Sequence, residues 1–165
     1  MSHLPEEYSI RGTFVHHYAE MKALECDLPE VPEKYRGFTD GVDRFWEDIN
    51  PVPLLVEVEL KHELLGLIGH LDLITKDVYD FPLYDYKTGS VPQYAGPQLM
   101  LYKIMLKRMY PWLGHIPRYA VELSQKGRYK LIPFEDDARD TAIAMEAYHD
   151  YLKNEGGAEW SFRVG

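Results

Sequence analysis

The stretch Leu83-Tyr84-Asp85-Tyr86-Lys87-Thr88-Gly89-Ser90 carries an acid and an amine two residues apart, Asp85 and Lys87, just ahead of a Thr-Gly turn. On a strand these two side chains face the same way and Tyr86 faces the other. An acid and an amine at a strand end are candidates for metal-assisted attack on a phosphate. Taken alone, the pair reads more plainly as a surface ion pair before a turn. Three other groups have matching chemistry. His16 precedes Glu20 by one helical turn, in Gly12-Thr13-Phe14-Val15-His16. Asp72 ends Gly69-His70-Leu71-Asp72. Gln98 and Tyr102 stand at i and i+4, on one face of a helix. Each has an ordinary reading too: a hydrogen-bonded histidine, an acid at a turn, a core tyrosine.

The elements that must position these residues follow from hydrophobic period and punctuation. Residues 10–25 have a helix-like apolar pattern, Phe14, Val15, Tyr18, Met21 and Leu24. Pro29, Pro32 and Gly37 break the chain, and Thr39-Asp40 caps a short helix that ends before Pro51 and Pro53. Residues 54–60 alternate, with Glu57 and Glu59 on one face and Val56, Val58 and Leu60 on the other. Residues 64–74 and 78–87 make two more strands in an antiparallel meander. A helix from Pro92 to about Tyr110 carries Gln98 and Tyr102. Residues 117–124 and 129–134 form a hairpin around Gln125-Lys126-Gly127-Arg128. A last helix spans 136–152, followed by a tail with Trp160 and Phe162. The order predicts an α/β fold: a central mixed sheet of about five strands with helices on its faces, in one domain over residues 1–165.

The 165-residue length suits one core. No apolar run reaches the roughly 20 residues of a membrane span, so no membrane partner is expected and a cytoplasmic setting is the default. Cys26 is the single cysteine, which excludes an internal disulfide, a cysteine-based zinc site and a four-cysteine iron–sulfur cluster. The formal net charge is −9, unevenly spread. Residues 1–86 carry −11, residues 87–130 carry +7, and residues 131–165 carry −5. The basic segment holds Lys87, Lys103, Lys107, Arg108, Arg118, Lys126, Arg128 and Lys130. A phosphate-binding face on an acidic body would look like this; so would a solvated helix face followed by a charged hairpin.

Together and in this order, the Gly-…-His helix, the Gly-x-x-Asp strand, the Asp-x-Lys strand and the Gln-x-x-x-Tyr helix resemble the RecB-like family of the PD-(D/E)xK nuclease superfamily. The resemblance covers roughly residues 11–102, with a looser fit to 134. It implies a restriction-endonuclease-like core and a divalent-metal nuclease acting on DNA, an exonuclease rather than an endonuclease, in recombination, repair or end processing. Two departures stand out. Members of the CRISPR-associated exonuclease type hold an iron–sulfur cluster with four cysteines, so this chain is expected among the cluster-free ones. The family's additional N-terminal helix has only about ten residues of counterpart here, as in a minimal stand-alone nuclease of the kind carried by phages. A structure-specific endonuclease of the same fold, or a non-catalytic DNA-binding subunit of a recombination complex, are the alternatives. Self-association or a recombination or replication partner protein stays open.

Residue chemistry suits that reading. Hard cations such as Mg²⁺ prefer oxygen ligands, which Asp72, Asp85 and the Tyr86 backbone carbonyl can supply. The His16 imidazole would favour Mn²⁺. Lys87 can orient or deprotonate the attacking water, or stabilise charge on the phosphate. By family analogy Gln98 and Tyr102 contact Lys87 or the DNA. Glu20 could orient His16, and Glu57 or Glu59 could approach the metal. Thr88 and Ser90 are placed to meet a phosphate beyond Lys87, and Lys103, Lys107, Arg108, Lys126 and Arg128 to meet the DNA backbone.

Overall fold

The structure, a computed structural model, describes residues 4–62 and 67–153; Trp160, Phe162 and residues 64–66 of the expected second strand lie outside them. Helix α1 (Leu4–Ala23) is followed by a 3-10 turn (Glu33–Tyr35), α2 (Arg36–Ile49), strands β1 (Pro53–His62), β2 (Leu67–Thr75) and β3 (Leu83–Thr88), helix α3 (Ala95–Met109), strands β4 (Arg118–Leu123) and β5 (Tyr129–Phe134), and helix α4 (Ala138–Lys153). The strands form one mixed sheet in the order β1-β2-β3-β4-β5. All neighbours are antiparallel except β3 and β4. Those two are joined through α3, the crossover that a parallel pair requires. The expected α/β fold and element order are therefore present.

Helices cover both faces of the sheet. On one, α3 and α4 pack Leu99, Met105, Leu106 and Ala144 onto Leu60, Leu71, Ile74 and Leu83. On the other, α1 and α2 pack Val15, Ala19, Phe38, Val42 and Phe45 onto Leu73, Tyr84, Tyr86 and Val121. Phe38, Val42 and Phe45 recur at helical spacing, which fixes the inward face of α2. Each such large side chain contributes roughly 1.5–3 kcal/mol by leaving water. Asn50 closes α2 in the left-handed conformation, φ 47°.

Three expectations on the elements need correction. Helix α2 begins at Arg36, so Gly37 and Gly41 lie inside it. They are there for contact: a Cβ on Gly37 would stand 1.9 Å from the Gln125 carbonyl oxygen. The third strand starts at Leu83, not at residue 78, because Val78 and Tyr79 turn out to solvent and Asp80 bridges to His115. The simple alternation of β1 also fails. Val56 packs with the α1–α2 side and Val58 with the α3 side, although they are two residues apart. Glu57 between them has φ 48°, a left-handed conformation that costs a non-glycine residue and turns its side chain away from the plain two-residue repeat. Leu71 and Leu73 on β2 divide in the same way. The irregularity thus falls where Glu57 and Asp72 lie opposite each other, between the Val56–Leu73 and Val58–Leu71 pairs.

Candidate active site

The β2–β3 ladder pairs only Leu73 with Tyr84 and Ile74 with Leu83, whereas β3 pairs with β4 along its whole length. Beyond Tyr84 the two strands part, and the backbone edge of β3 that faces β2 is open to other partners. Asp72 fills the gap. Its Oδ2 accepts the Tyr86 N–H at 2.7 Å, and its Oδ1 lies 2.8 Å from His16 Nδ1. In an extended strand the N–H and C=O of one residue point to the same side, so the Tyr86 carbonyl lies on the edge that Asp72 occupies. The Tyr86 ring goes to the opposite face, buried against α2, where its hydroxyl accepts from Trp46 Nε1 at 3.2 Å.

Asp85 and Lys87 point to the α3 side, as strand alternation requires. Lys87 Nζ stands 2.8 Å from Asp85 Oδ2 and donates to Gln98 Oε1 at 3.1 Å. Gln98 Nε2 donates in turn to the Tyr102 hydroxyl at 3.1 Å. The i and i+4 pair on α3 therefore holds the amine of β3 through a buried amide. Arg118 anchors the start of that helix: almost fully buried, it donates to the carbonyl oxygens of Gly96 and Glu135 and pairs with Asp136 and Asp140. Arg118 belongs to the basic segment in sequence, but it is a core residue.

Three groups are brought together as a potential cation site: His16, Glu57 and Asp72 each offer an atom within 4.8 Å of the others. Their electrostatics show a site crowded with negative charge. Burial, the nearby Asp72 carboxylate and a hydrogen bond to it push Glu57 up to about 8. Burial and Asp72 likewise push Asp85 up to about 6, against the opposing pull of Lys87. Burial disfavours a charged His16, but Asp72 and Asp85 outweigh it and raise the imidazole to about 9. Burial also opposes the charge on Lys87, and Asp85 again prevails, so its amine is held above the ordinary lysine value. Asp72 lies below the ordinary carboxylate value: burial works against its charge, but His16 and the Tyr86 N–H outweigh it. Protons on Glu57 and His16 thus occupy the electrostatic place of a cation. The buried Asp85 Oδ2 meets Lys87 without a well-aligned hydrogen bond. A divalent cation fits this donor set, carboxylate oxygens with one imidazole.

The other expected residues divide. Thr88, Ser90 and Lys126 line a cleft of about 1230 Å³ that also takes in His16, Tyr86 and Lys87. Elsewhere, Lys103 pairs with Asp136, Lys107 donates to the Leu113 carbonyl, and Arg108 is exposed on α3. Arg128 lines a separate shallow cavity with Arg44 and Asp48. Glu59 is exposed and lies outside the cation group. Glu20 lies 3.4 Å from His17, and the carboxylate that fixes His16 is Asp72. Sequence reasoning passed over Arg11, which lines the cleft from α1; its one signal was its place just before the Gly-Thr-…-His run.

The site sits on a five-stranded mixed sheet whose β2 and β3 part around Asp72, with Asp85 and Lys87 on the α3 face beside it. The profile of the PD-(D/E)XK nuclease superfamily matches residues 10–156, and the chain belongs to that superfamily. Nucleases of the superfamily use divalent metals, and the acidic group beside His16 is a possible site for one. No curated protein matches the sequence. A crystal structure from Eubacterium rectale, of a protein provisionally designated an exonuclease, matches with a TM-score of 0.59 at 12% identity over 92% of this chain and 69% of that one. At that identity the likeness is one of fold.

Proposed function

We propose that this chain is a divalent-metal-dependent DNA nuclease of the RecB-like, cluster-free kind, working as an exonuclease on DNA ends. The observation that carries the reading is the convergence of Asp72, Asp85 and Lys87 where β2 and β3 part, with Lys87 fixed by Gln98. Asp72, Asp85, Glu57 and His16, with the Tyr86 carbonyl, would hold Mg²⁺ or Mn²⁺. Such a cation lowers the pKa of an attacking water and offsets charge on the phosphate.

The chain's own residues do the rest. Lys87 is an ammonium rather than a free amine in the metal-free site, because Asp85 holds its proton. Beside a bound cation it stands where it can orient or deprotonate the attacking water, or stabilise the extra negative charge of the pentacovalent phosphorus. Gln98 Oε1 gives that ammonium a second acceptor beside Asp85. The exonuclease part draws on the family resemblance and on the designation of the Eubacterium rectale protein.

The test is degradation of end-labelled linear DNA with Mg²⁺ or Mn²⁺, beside a covalently closed circle. Loss of the linear substrate with the circle intact is expected, abolished by EDTA and in Asp85→Ala and Lys87→Ala. Full activity in both variants, or in EDTA, overturns the reading. Nicking of the circle replaces exonuclease with endonuclease.

A further inference from the structure

We propose that Arg11 binds a backbone phosphate of the substrate strand, on the Thr88–Ser90 side of the reacting phosphate. This rests on the nucleic-acid reading above and names a contact it does not contain.

Arg11 lies five residues before His16 on α1, about 7.5 Å along the helix axis at 1.5 Å per residue. Both side chains nevertheless line the same cleft. Its Nη2 donates to the Thr88 carbonyl at 2.7 Å, next along β3 from Lys87. The guanidinium is held between two rings, 4.5 Å from the Tyr8 centroid and 4.6 Å from that of Phe38. Arginine has five N–H donors in a fixed fork. The Thr88 bond uses one, and Nε is shut off from solvent with no partner. Among the described residues no carboxylate pairs with it.

A half-buried cation on the cleft wall, with one hydrogen bond inside the protein and no carboxylate partner among the described residues, is suited to an incoming anion. The terminal N–H groups that Thr88 leaves over suit an acceptor with several oxygens. Phosphate offers these in the planar arrangement the fork matches. The location selects the same ligand. Arg11 shares one cleft with His16, Lys87, Ser90 and Lys126, and the acid in that wall, Glu122, accepts the Val91 N–H at 3.3 Å. The Thr88 bond and the buried Phe38 ring restrict the side chain in advance, so less rotamer freedom remains to be lost on binding.

Binding is measured in the Asp85→Asn background, without metal, by fluorescence anisotropy of a labelled oligonucleotide across a salt series. Arg11→Gln is expected to weaken binding about tenfold and to lower the slope of log affinity against log salt by about one. Arg11→Lys should weaken binding while keeping the slope, because the charge stays. Neutral methylphosphonates walked along the strand should reveal one position that costs the Arg11 protein affinity and costs Arg11→Gln nothing. An unchanged slope in Arg11→Gln, or no such position, overturns the proposal. If both variants melt early, the walk on the Arg11 protein decides alone: it must find a sensitive phosphate beside the reacting one, and its absence is fatal. A chain that does not cleave DNA but binds it through Arg11 would sink only the nuclease reading. A chain that cleaves it and ignores Arg11 would sink only this inference.

Discussion

Lys87 is held from two sides, by a carboxylate on its own strand and by an amide on α3. That arrangement separates the roles of Gln98 and Tyr102. Gln98→Met removes the acceptor that aims the ammonium but leaves the acids alone. Its kcat should fall about 10²-fold, as when a positioned polar group is lost from a reacting centre, with DNA affinity unchanged. Tyr102→Phe removes the hydroxyl that accepts from Gln98 Nε2. Its cost should show mainly as stability, about 0.5–1.5 kcal/mol for one lost hydrogen bond. Single-turnover kinetics beside thermal melts would tell the two apart; equal kcat losses would mean that Tyr102 itself touches the reacting atoms. Glu57 gives a second residue-scale prediction. At neutral pH its carboxyl is largely protonated in the metal-free protein, so Glu57→Gln imitates the state already present. Stability near pH 7 should barely move, while Mn²⁺ affinity measured by calorimetry falls on the order of 10–100-fold. Undiminished affinity would remove Glu57 from the site.

At the scale of elements, α2 acts as a buttress for one wall of the cleft. Gly37 and Gly41 let its backbone close onto the β4–β5 turn, where a Cβ would stand 1.9 Å and 2.9 Å from the carbonyl oxygens of Gln125 and Arg128. Neither oxygen can swing aside as a flexible side chain would. Gly37→Ala should therefore cost about 1–3 kcal/mol or more. It should also weaken DNA binding by displacing Lys126, with the chemistry of bound DNA spared. A melting temperature equal to wild type would show that the turn yields freely. This contact explains what the sequence conceals. The order of elements was legible because helix and strand periods are local properties. Asp72, Asp85, Lys87, Gln98 and Tyr102 were legible as a set through the family resemblance, which their order along those elements carries. Gly37 read as a breaker because nothing local reveals a chain that approaches from 88 residues away. Glu57 and Glu59 read as equivalent because alternation assumes an ordinary φ, and the left-handed backbone at Glu57 breaks it. The basic segment read as a phosphate-binding face or as a solvated helix face with a charged hairpin; its members disperse, Arg118 into the core, Lys103 to Asp136, and Lys87 and Lys126 to the cleft.

At the scale of the whole molecule, an acidic protein has gathered acids in its interior and keeps them there by retaining protons. Folding raises His16 from 6.5 to about 9, Glu57 from 4.5 to about 8 and Asp85 from 3.8 to about 6. In each case the folded state binds the proton more tightly than the unfolded one. The stability these groups contribute is complete below their unfolded values and is lost as pH climbs through 6, 8 and 9 in turn. Asp72 is shifted the opposite way, but its contribution is lost only in acid, as pH falls through its lowered value. In EDTA, then, the melting temperature should decline steadily from about pH 5 to about pH 9. A bound cation competes with those same protons, so its affinity rises with pH. The increment in melting temperature from a fixed excess of Mn²⁺ should grow over the same window. It should nearly vanish near pH 5, where Glu57 and His16 are both protonated. Melts in EDTA and in Mn²⁺ across that range measure both curves on one protein. A level EDTA curve would mean that the acids do not share one crowded site. An increment independent of pH would mean that Mn²⁺ binds somewhere other than at Glu57, Asp72 and His16.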